Sequence, residues 1–377
     1  MKLKKKLLFF VTEDWYFYSH RLPLAIAAKK SGYDVSVVTR IQSHGDKITD
    51  AGIKVLPLKL SRRGINPLNE LRVIKQLVSI YKKEQPDIVH HVALKPVLYG
   101  TVAARLARVS SIVNAMAGLG FIFSSKKIKA RVVRPFLMFF FKLLLNNPCS
   151  RIILQNADDA SLLHKSGVLK KERIALIRGS GVDTNEYLAQ PEADGEPIII
   201  LASRLLWDKG VGEFVDASRI LQADGVKARF ALLGEGDPEN PGSISNEQLI
   251  SWENEGIVEV WGKKTNMPEV FSQVHIVCLP SFYGEGVPKV LIEAASCGKP
   301  IVTTNAPGCR DIVRDGVNGL LVPLRDSVAV ADALKKLIQS PELRKQMGEK
   351  GRALVESDFS LKKVNSETLS LYKELLL

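Results

Sequence analysis

The sequence predicts an α/β protein made of two Rossmann-like domains, each a parallel sheet with helices on both faces. Short continuous apolar runs alternate with helix-period segments along the chain, which is the pattern of strands buried on both sides. The alternation breaks at a polar segment, AQPEADGEP at 189–197, and then restarts. At 377 residues the chain is also too long for one ordinary core. Ligands of open α/β sheets sit beyond the carboxyl ends of the strands, so the two domains are expected to face each other across a ligand cleft.

Taken in order, the first strand is LLFFV at 7–11, followed by a helix at 22–30 and strands at 35–39 and 55–58. A helix at 71–83, a strand at 88–92, a helix at 97–107 and a strand at 112–115 continue the series. A basic, bulky apolar helix ending near 145 and a strand at 151–155 complete the first half. Gly-Ser-Gly at 179–181 marks a chain turn, and 189–197 reads as the linker. The second half opens with a strand at 198–202, a helix at 211–224 and a strand at 228–233. Segments at 249–255, 258–261, 267–273 and 276–279, a helix started by Pro288, and apolar runs at 301–304, 312–313 and 320–322 extend it. Helices at 327–339, 341–356 and 361–377 end the chain. The expected domains are 1–185 and 186–356, with 357–377 as a C-terminal helical segment.

Charge is divided unevenly. Residues 1–190 carry a net +19 and residues 191–377 a net −6. Residues 101–150 hold eight basic side chains and no acidic one, with Lys126, Lys127, Lys129, Arg131 and Arg134 leading into FLMFFFKLLL at 136–145. A basic cluster beside a bulky apolar helix suits an anionic membrane surface, although a core helix with a solvated basic flank has the same composition. Nucleic acid is not expected as a partner, because no recognised binding motif accompanies the charge. No run approaches the ~20 apolar residues of a membrane span. The lysines at the start precede an apolar run that stops at Thr12-Glu13-Asp14 without a small-residue cleavage site, so a buried strand is expected there. The four cysteines have no metal-ligand spacing and read as buried, inert thiols of a reducing compartment.

The most informative motif is EGVPKVLIE at 285–293. Tyr283-Gly284-Glu285-Gly286 is turn-like, and Pro288 suits a first helical turn. Glu285 is then expected at a helix mouth, where backbone N–H groups favour an anion, and Glu293 about two turns deeper. Ionised carboxylates only accept hydrogen bonds, so a polyhydroxyl ligand is their natural partner. Gly286, Val287 and Pro288 would bring backbone to the same ligand. Arg204 and Lys209, on a loop after the strand at 198–202, supply two cations suited to a diphosphate. Charge grows on such a group when its bond to a sugar breaks, and fixed cations stabilise it. No D-x-D pair stands at a strand end in this half, so no metal is expected.

Glu285 and Glu293 match the E-x7-E pattern, and Arg204 with Lys209 the R…K pair, of retaining nucleotide-sugar-dependent glycosyltransferases. The chain resembles the family 4 type, which has the GT-B fold. SHRLPL at 19–24, HHVALKP at 90–96 with Tyr99-Gly100, GSGVD at 179–183, Pro280-Ser281 and PGCR at 307–310 look like one bacterial branch. That branch extends undecaprenyl-diphosphate-linked sugars. The resemblance implies a UDP-sugar donor, no cofactor, a lipid-diphosphate-linked saccharide acceptor and a cytoplasmic enzyme peripheral on the inner membrane face. It implies Glu285 on the donor sugar, Glu293 on the ribose and Arg204 with Lys209 on the leaving diphosphate. It also implies that the last helix crosses back to the first domain. The family frequently has H-x-H at the strand end where this chain has His90-His91-Val92, and His91 is the expected active-site imidazole, with Lys95 as an acceptor or phosphate contact. Ser19 and His20 stand where many relatives have a glycine-rich turn, at the acceptor side, unless WYFYSH at 15–20 is a core aromatic cluster. Gly118, in NAMAGLG at 114–120, offers a flexible turn there. A UDP-sugar epimerase of the same fold and an inactive membrane-binding scaffold are the alternatives.

Overall fold

The structure is a computed structural model that describes residues 4–60, 66–119, 128–282 and 284–377. Lys126, Lys127, Gly120 and Tyr283 lie outside the described residues, as do the side chains of Lys129 and Arg131. The chain forms two compact units, Met1–Ser180 with Leu361–Leu377, and Gly181–Ser360.

In the first unit the elements run β1 (Lys6–Glu13), α1 (Asp14–His20), α2 (Leu22–Lys30), β2 (Asp34–Arg40), α3 (Gly45–Asp50) and β3 (Lys54–Pro57). They continue with α4 (Pro67–Glu84), β4 (Ile88–Val92), α5 (Leu94–Leu106), β5 (Ser111–Met116), α6 (Ile128–Leu145), β6 (Ser150–Leu154), α7 (Ala157–Lys165) and β7 (Ile174–Leu176). Among the described residues the strands form one parallel sheet ordered β3-β2-β1-β4-β5-β6-β7. Every residue of β4 and β5 is buried, which is why these strands read as continuous rather than alternating apolar runs. The order reverses direction between β1 and β4, giving the crevice of a doubly wound sheet.

The second unit repeats the plan. Its elements are β8 (Ile198–Ala202), α8 (Val211–Ala223), β9 (Arg229–Leu233), α9 (Asn246–Asn254), β10 (Glu259–Gly262), α10 (Met267–Gln273), β11 (Ile276–Leu279) and α11 (Lys289–Ser296). There follow β12 (Ile301–Thr304), α12 (Cys309–Ile312), β13 (Gly319–Val322), α13 (Ser327–Ile338) and α14 (Pro341–Leu354). The described strands form a parallel sheet ordered β10-β9-β8-β11-β12-β13, with the reversal between β8 and β11. The last helix, α15 (Leu361–Leu376), belongs to the first unit. There Tyr372 lies fully buried against Tyr33 and hydrogen-bonds His90 Nδ1, while Ser111 Oγ donates to the Leu375 carbonyl at 2.9 Å.

Several expectations differ from the structure, one of them the reading of all four cysteines as buried: Cys149 is exposed. The expected linker at 189–197 is not where the units divide, since the boundary falls between Ser180 and Gly181. That polar segment is held inside the second unit: Glu192 pairs with the buried Arg344, and the Ala193 carbonyl takes a hydrogen bond of 3.0 Å from His275 Nε2. The aromatic segment after β1, where relatives of the resembling family have a glycine-rich turn, forms the helix α1. Its first residue, Asp14, is fully buried and accepts backbone N–H groups of Trp15, Gln42, Ser43 and His44 at 2.7–3.0 Å. Burial alone would raise this carboxyl, but those four donors hold it below the usual carboxylate range. Residues 312–313 also differ, because Ile312 closes the short helix α12.

Candidate active site

In the second unit the loops after β8 and β11 flank the point where strand order reverses, and both expected cations and Glu285 lie on them. A 3-10 turn at Trp207–Lys209 follows β8 and delivers Lys209, whose ammonium pairs with the Glu285 carboxylate. Both side chains are largely enclosed, at 12% and 14% exposure. Ser281 Oγ lies 3.2 Å from Glu285 Oε1 and from the Asp208 carbonyl, and Phe282 N–H donates to that carbonyl at 3.1 Å. These bonds tie the two loops together. Gly210 is required where they meet: it has φ +78°, and a Cβ there would come within 2.2 Å of the Pro280 carbonyl oxygen. Burial pushes the neighbouring Asp208 carboxyl up, with Lys209 pulling it down and Glu285 adding to the rise.

Gly286, Val287 and Pro288 are buried directly after Glu285, and Pro288 is the cap of α11 rather than its first-turn residue. Glu293, inside α11, is buried and accepts from the Tyr187 hydroxyl at 3.1 Å, with Lys289 Nζ at 2.9 Å. Burial, then the Glu293 charge, raises the Tyr187 phenol. Tyr187 keeps its proton and donates a hydrogen bond to the carboxylate. Arg204 points to Asp237, 2.8 Å away. The two cations are therefore not bare in this state, since each faces a carboxylate. The sequence pattern did not reveal Asp237 or Tyr187 as partners, because each lies far along the chain from the residue it meets.

Two family models span most of the chain: a glycosyl transferase 4-like model matches residues 6–156, and glycosyl transferases group 1 matches 183–354. The chain belongs to glycosyltransferase family 4. A Campylobacter jejuni N,N'-diacetylbacillosaminyl-diphospho-undecaprenol α-1,3-N-acetylgalactosaminyltransferase is 28% identical, covering 87% of this chain and 88% of its own. An Escherichia coli UDP-Gal:α-D-GlcNAc-diphosphoundecaprenol α-1,3-galactosyltransferase is 22% identical over 91% and 90%. HepE from Anabaena, solved with UDP and glucose, superposes with a TM-score of 0.80 at 17% identity over 98% and 99% of the two chains. The glycosyltransferase has the GT-B fold.

In the first unit the structure places His91 on β4, inside the core. Both histidines of β4 are fully enclosed, on opposite faces of the sheet. His91 Nδ1 meets Asn114 Oδ1 at 2.8 Å and Nε2 meets the Tyr81 hydroxyl at 3.2 Å. Its ring is packed so closely on α5 that a Cβ at Gly100 would approach within 2.5 Å. Burial lowers its pKa to about 4, against the opposing effect of Asn114, so the imidazole is neutral at physiological pH. His90 stacks on Phe9 and bonds Tyr372. Both imidazoles are enclosed by protein and hydrogen-bonded to other side chains of the unit.

The glycosyltransferase's acceptor-side candidates are spread along the carboxyl ends of the adjacent strands β1, β4 and β5. Lys95 is the second residue of α5 and is paired with Glu70 at 3.0 Å. Gly118 follows β5 with φ +88°. Ser19 and His20 stand at the far end of α1, about 9 Å along its axis from β1. Ser19 Oγ donates to the Trp15 carbonyl at 2.8 Å, and His20 stacks on Tyr16 with centroids 4.2 Å apart. Of residues 15–20 only Phe17 is buried, and Ser19 and His20 are half-buried.

The helix α6 has two apolar faces. Leu137, Phe141, Leu144 and Leu145 are buried in the unit, whereas Val133, Phe136, Phe139, Phe140 and Leu143 are exposed, Phe136 by 66% and Phe139 by 63%. The buried set packs the helix on its unit, and the exposed set is apolar where a core helix with a solvated basic flank would be polar. Arg105 Nη2 donates to the Leu143 and Leu144 carbonyls, satisfying the helix end. No helix among the described residues is long and apolar enough to cross a membrane, and no cluster of His, Cys, Asp and Glu among them could hold a metal ion.

Proposed function

We propose that this glycosyltransferase moves a hexose or N-acetylhexosamine from a UDP-sugar to a lipid-diphosphate-linked saccharide, with retention at the anomeric carbon. The observation that carries this reading is the joining of Lys209 and Glu285 at the β8/β11 reversal, with Arg204 on the same loop as Lys209 and Glu293 on the helix after Glu285. Arg204 and Lys209 stabilise the diphosphate as its bond to the sugar breaks. Glu285 accepts hydrogen bonds from the donor sugar's hydroxyls, and Glu293, fixed by Tyr187, accepts from the ribose diol. The acceptor hydroxyl attacks C1 on the face the phosphate leaves, the C1–O bond to phosphate breaks, and the acceptor's proton passes to a phosphate oxygen. The C. jejuni and E. coli relatives, named for undecaprenyl-diphosphate-linked substrates, support the acceptor class, and the latter's name supports a UDP-sugar.

The test is to incubate the protein with a panel of UDP-hexoses and UDP-N-acetylhexosamines and a synthetic polyprenyl-diphosphate saccharide. One donor is expected to release UDP and yield an α-linked product. Failure of every donor to release UDP in the presence of acceptor would overturn the proposal, and conversion of a donor to its epimer without acceptor would make the protein an epimerase.

The exposed face of α6 is the part of this reading that concerns location: it docks on the anionic inner face of the cytoplasmic membrane. Its five large apolar side chains are flanked by Arg134 and Lys142, and each basic residue near such a surface contributes ~1 kcal/mol. The wild-type chain is expected to float with phosphatidylglycerol vesicles at low salt and less at high salt. Phe136→Asp with Phe139→Asp should abolish flotation while UDP still raises the melting temperature. Wild-type protein that stays unbound at low salt would reject membrane docking.

A further inference from the structure

A second loop holds Arg204. Residues 234–245, which follow β9, are stitched to the turn after β8 by backbone bonds. Leu205 N–H donates to the Glu235 carbonyl at 2.9 Å, Trp207 N–H to Gly242 at 2.9 Å, and Ile244 N–H to Leu205 at 3.0 Å. The loop also folds on itself around Asp237, whose N–H donates to Ser243 Oγ at 2.9 Å and whose Oδ1 accepts from Glu239 N–H at 3.2 Å. Gly236 must be small, since a Cβ there would meet Ser243 Oγ at 2.6 Å. These bonds fix the carboxylate so that Oδ2 receives Arg204 Nη1 at 2.8 Å. Asp237 is set back in its loop at 11% side-chain exposure, while 40% of Arg204 remains exposed.

We infer that Asp237 is a positioning residue for the donor diphosphate, acting through Arg204; this rests on the phosphate-binding reading of Arg204 above. A long arginine side chain loses rotamer freedom when it binds an anion, and a fixed carboxylate at one edge of the guanidinium removes that loss in advance. The other donors of the planar group then project in a set direction, as stabilisation of developing charge requires. The carboxylate also repels a bound phosphate, but it is set behind a guanidinium that meets solvent, where repulsion is screened. Positioning therefore outweighs repulsion.

The experiment is a double-mutant cycle read by calorimetry with UDP as the probe. Asp237→Asn keeps an acceptor for Glu239 N–H and puts an amide NH2, which carries no charge and cannot accept, opposite Arg204; Asp237→Ser serves as a second variant if the first folds poorly. Arg204→Ala should weaken UDP about ten-fold or more, and Asp237→Asn about five-fold. In the Arg204→Ala background, Asp237→Asn should change affinity by less than about two-fold, the signature of two residues acting as one. Equal losses in both backgrounds, or unchanged or tighter binding by Asp237→Asn alone, would overturn the role of Asp237. Wild-type affinity in Arg204→Ala would instead overturn the phosphate-binding reading of Arg204.

Discussion

Replacing Lys209 with alanine is expected to reduce turnover about a hundred-fold or more, because it removes a fixed cation from the group on which charge develops. The loss should be larger in kcat than in affinity for UDP, since the leaving diphosphate gains charge only as the sugar bond breaks. The same substitution strands Glu285, whose side chain is 14% exposed and loses its ammonium partner. That should cost about 3 kcal/mol of stability, the lower end of the range for breaking a buried pair. Stability and chemistry can be separated with Lys209→Ala/Glu285→Gln, which removes both charges. The double variant should regain most of the melting temperature and none of the turnover. Near-normal turnover in either Lys209→Ala or Glu285→Gln, with the donor found in the screen, would show that the site lies elsewhere.

The meeting of Lys209 and Glu285 is legible in sequence because it is written in local patterns. Continuous apolar runs mark β8 and β11, and the residues that leave their carboxyl ends are Arg204 to Lys209 and Ser281 to Glu285. A parallel sheet places such loops together wherever strand order reverses, so spacing along the chain translates into proximity. The positions of Glu285 before α11 and Glu293 within it follow the same logic, with Pro288 displaced by one residue from the expected first turn.

What the sequence hides depends on which partner covers a residue. His91 looks like a strand-end ligand group until α4 and α5 bring Tyr81 and Gly100 against it. Nothing in HHVALKP encodes that cover, since Tyr81 precedes the strand and Asn114 lies on the next one. Asp237 is 33 residues from Arg204 and reaches it only through the backbone stitching of two loops. The segment DWYFYSH has middling helix formers, and α1 starts at a buried Asp14 that also gathers the loop after β2. Polar composition misleads at 189–197 for a related reason: Glu192 is polar because Arg344 needs a partner, not because the segment is a solvated link.

Gly308→Ala is expected to abolish activity through the backbone alone, although residue 308 contributes no side chain to the site. Gly308 has φ +82°, which already disfavours a side chain by about 1 kcal/mol. The added methyl would lie 1.6 Å from the Gly286 carbonyl oxygen and 2.9 Å from that of Glu285. Both obstacles are main chain, so no rotamer change relieves the overlap, and residues 285–286 must move. That movement withdraws Glu285 from Lys209 and Ser281 and shifts the start of α11, which carries Glu293. Overpacking of this kind should destabilise the unit by about 3 kcal/mol and leave the folded fraction without turnover. Gly316→Ala is the matched control: it has φ +70°, but a Cβ there meets nothing within 4 Å. It should lose only the backbone term of about 1 kcal/mol and keep its activity. Urea unfolding of both variants, with turnover measured below their transitions, separates the two effects. Full activity in Gly308→Ala would mean that the 285–286 loop yields without consequence, and that the position of Glu285 is not what the reaction requires.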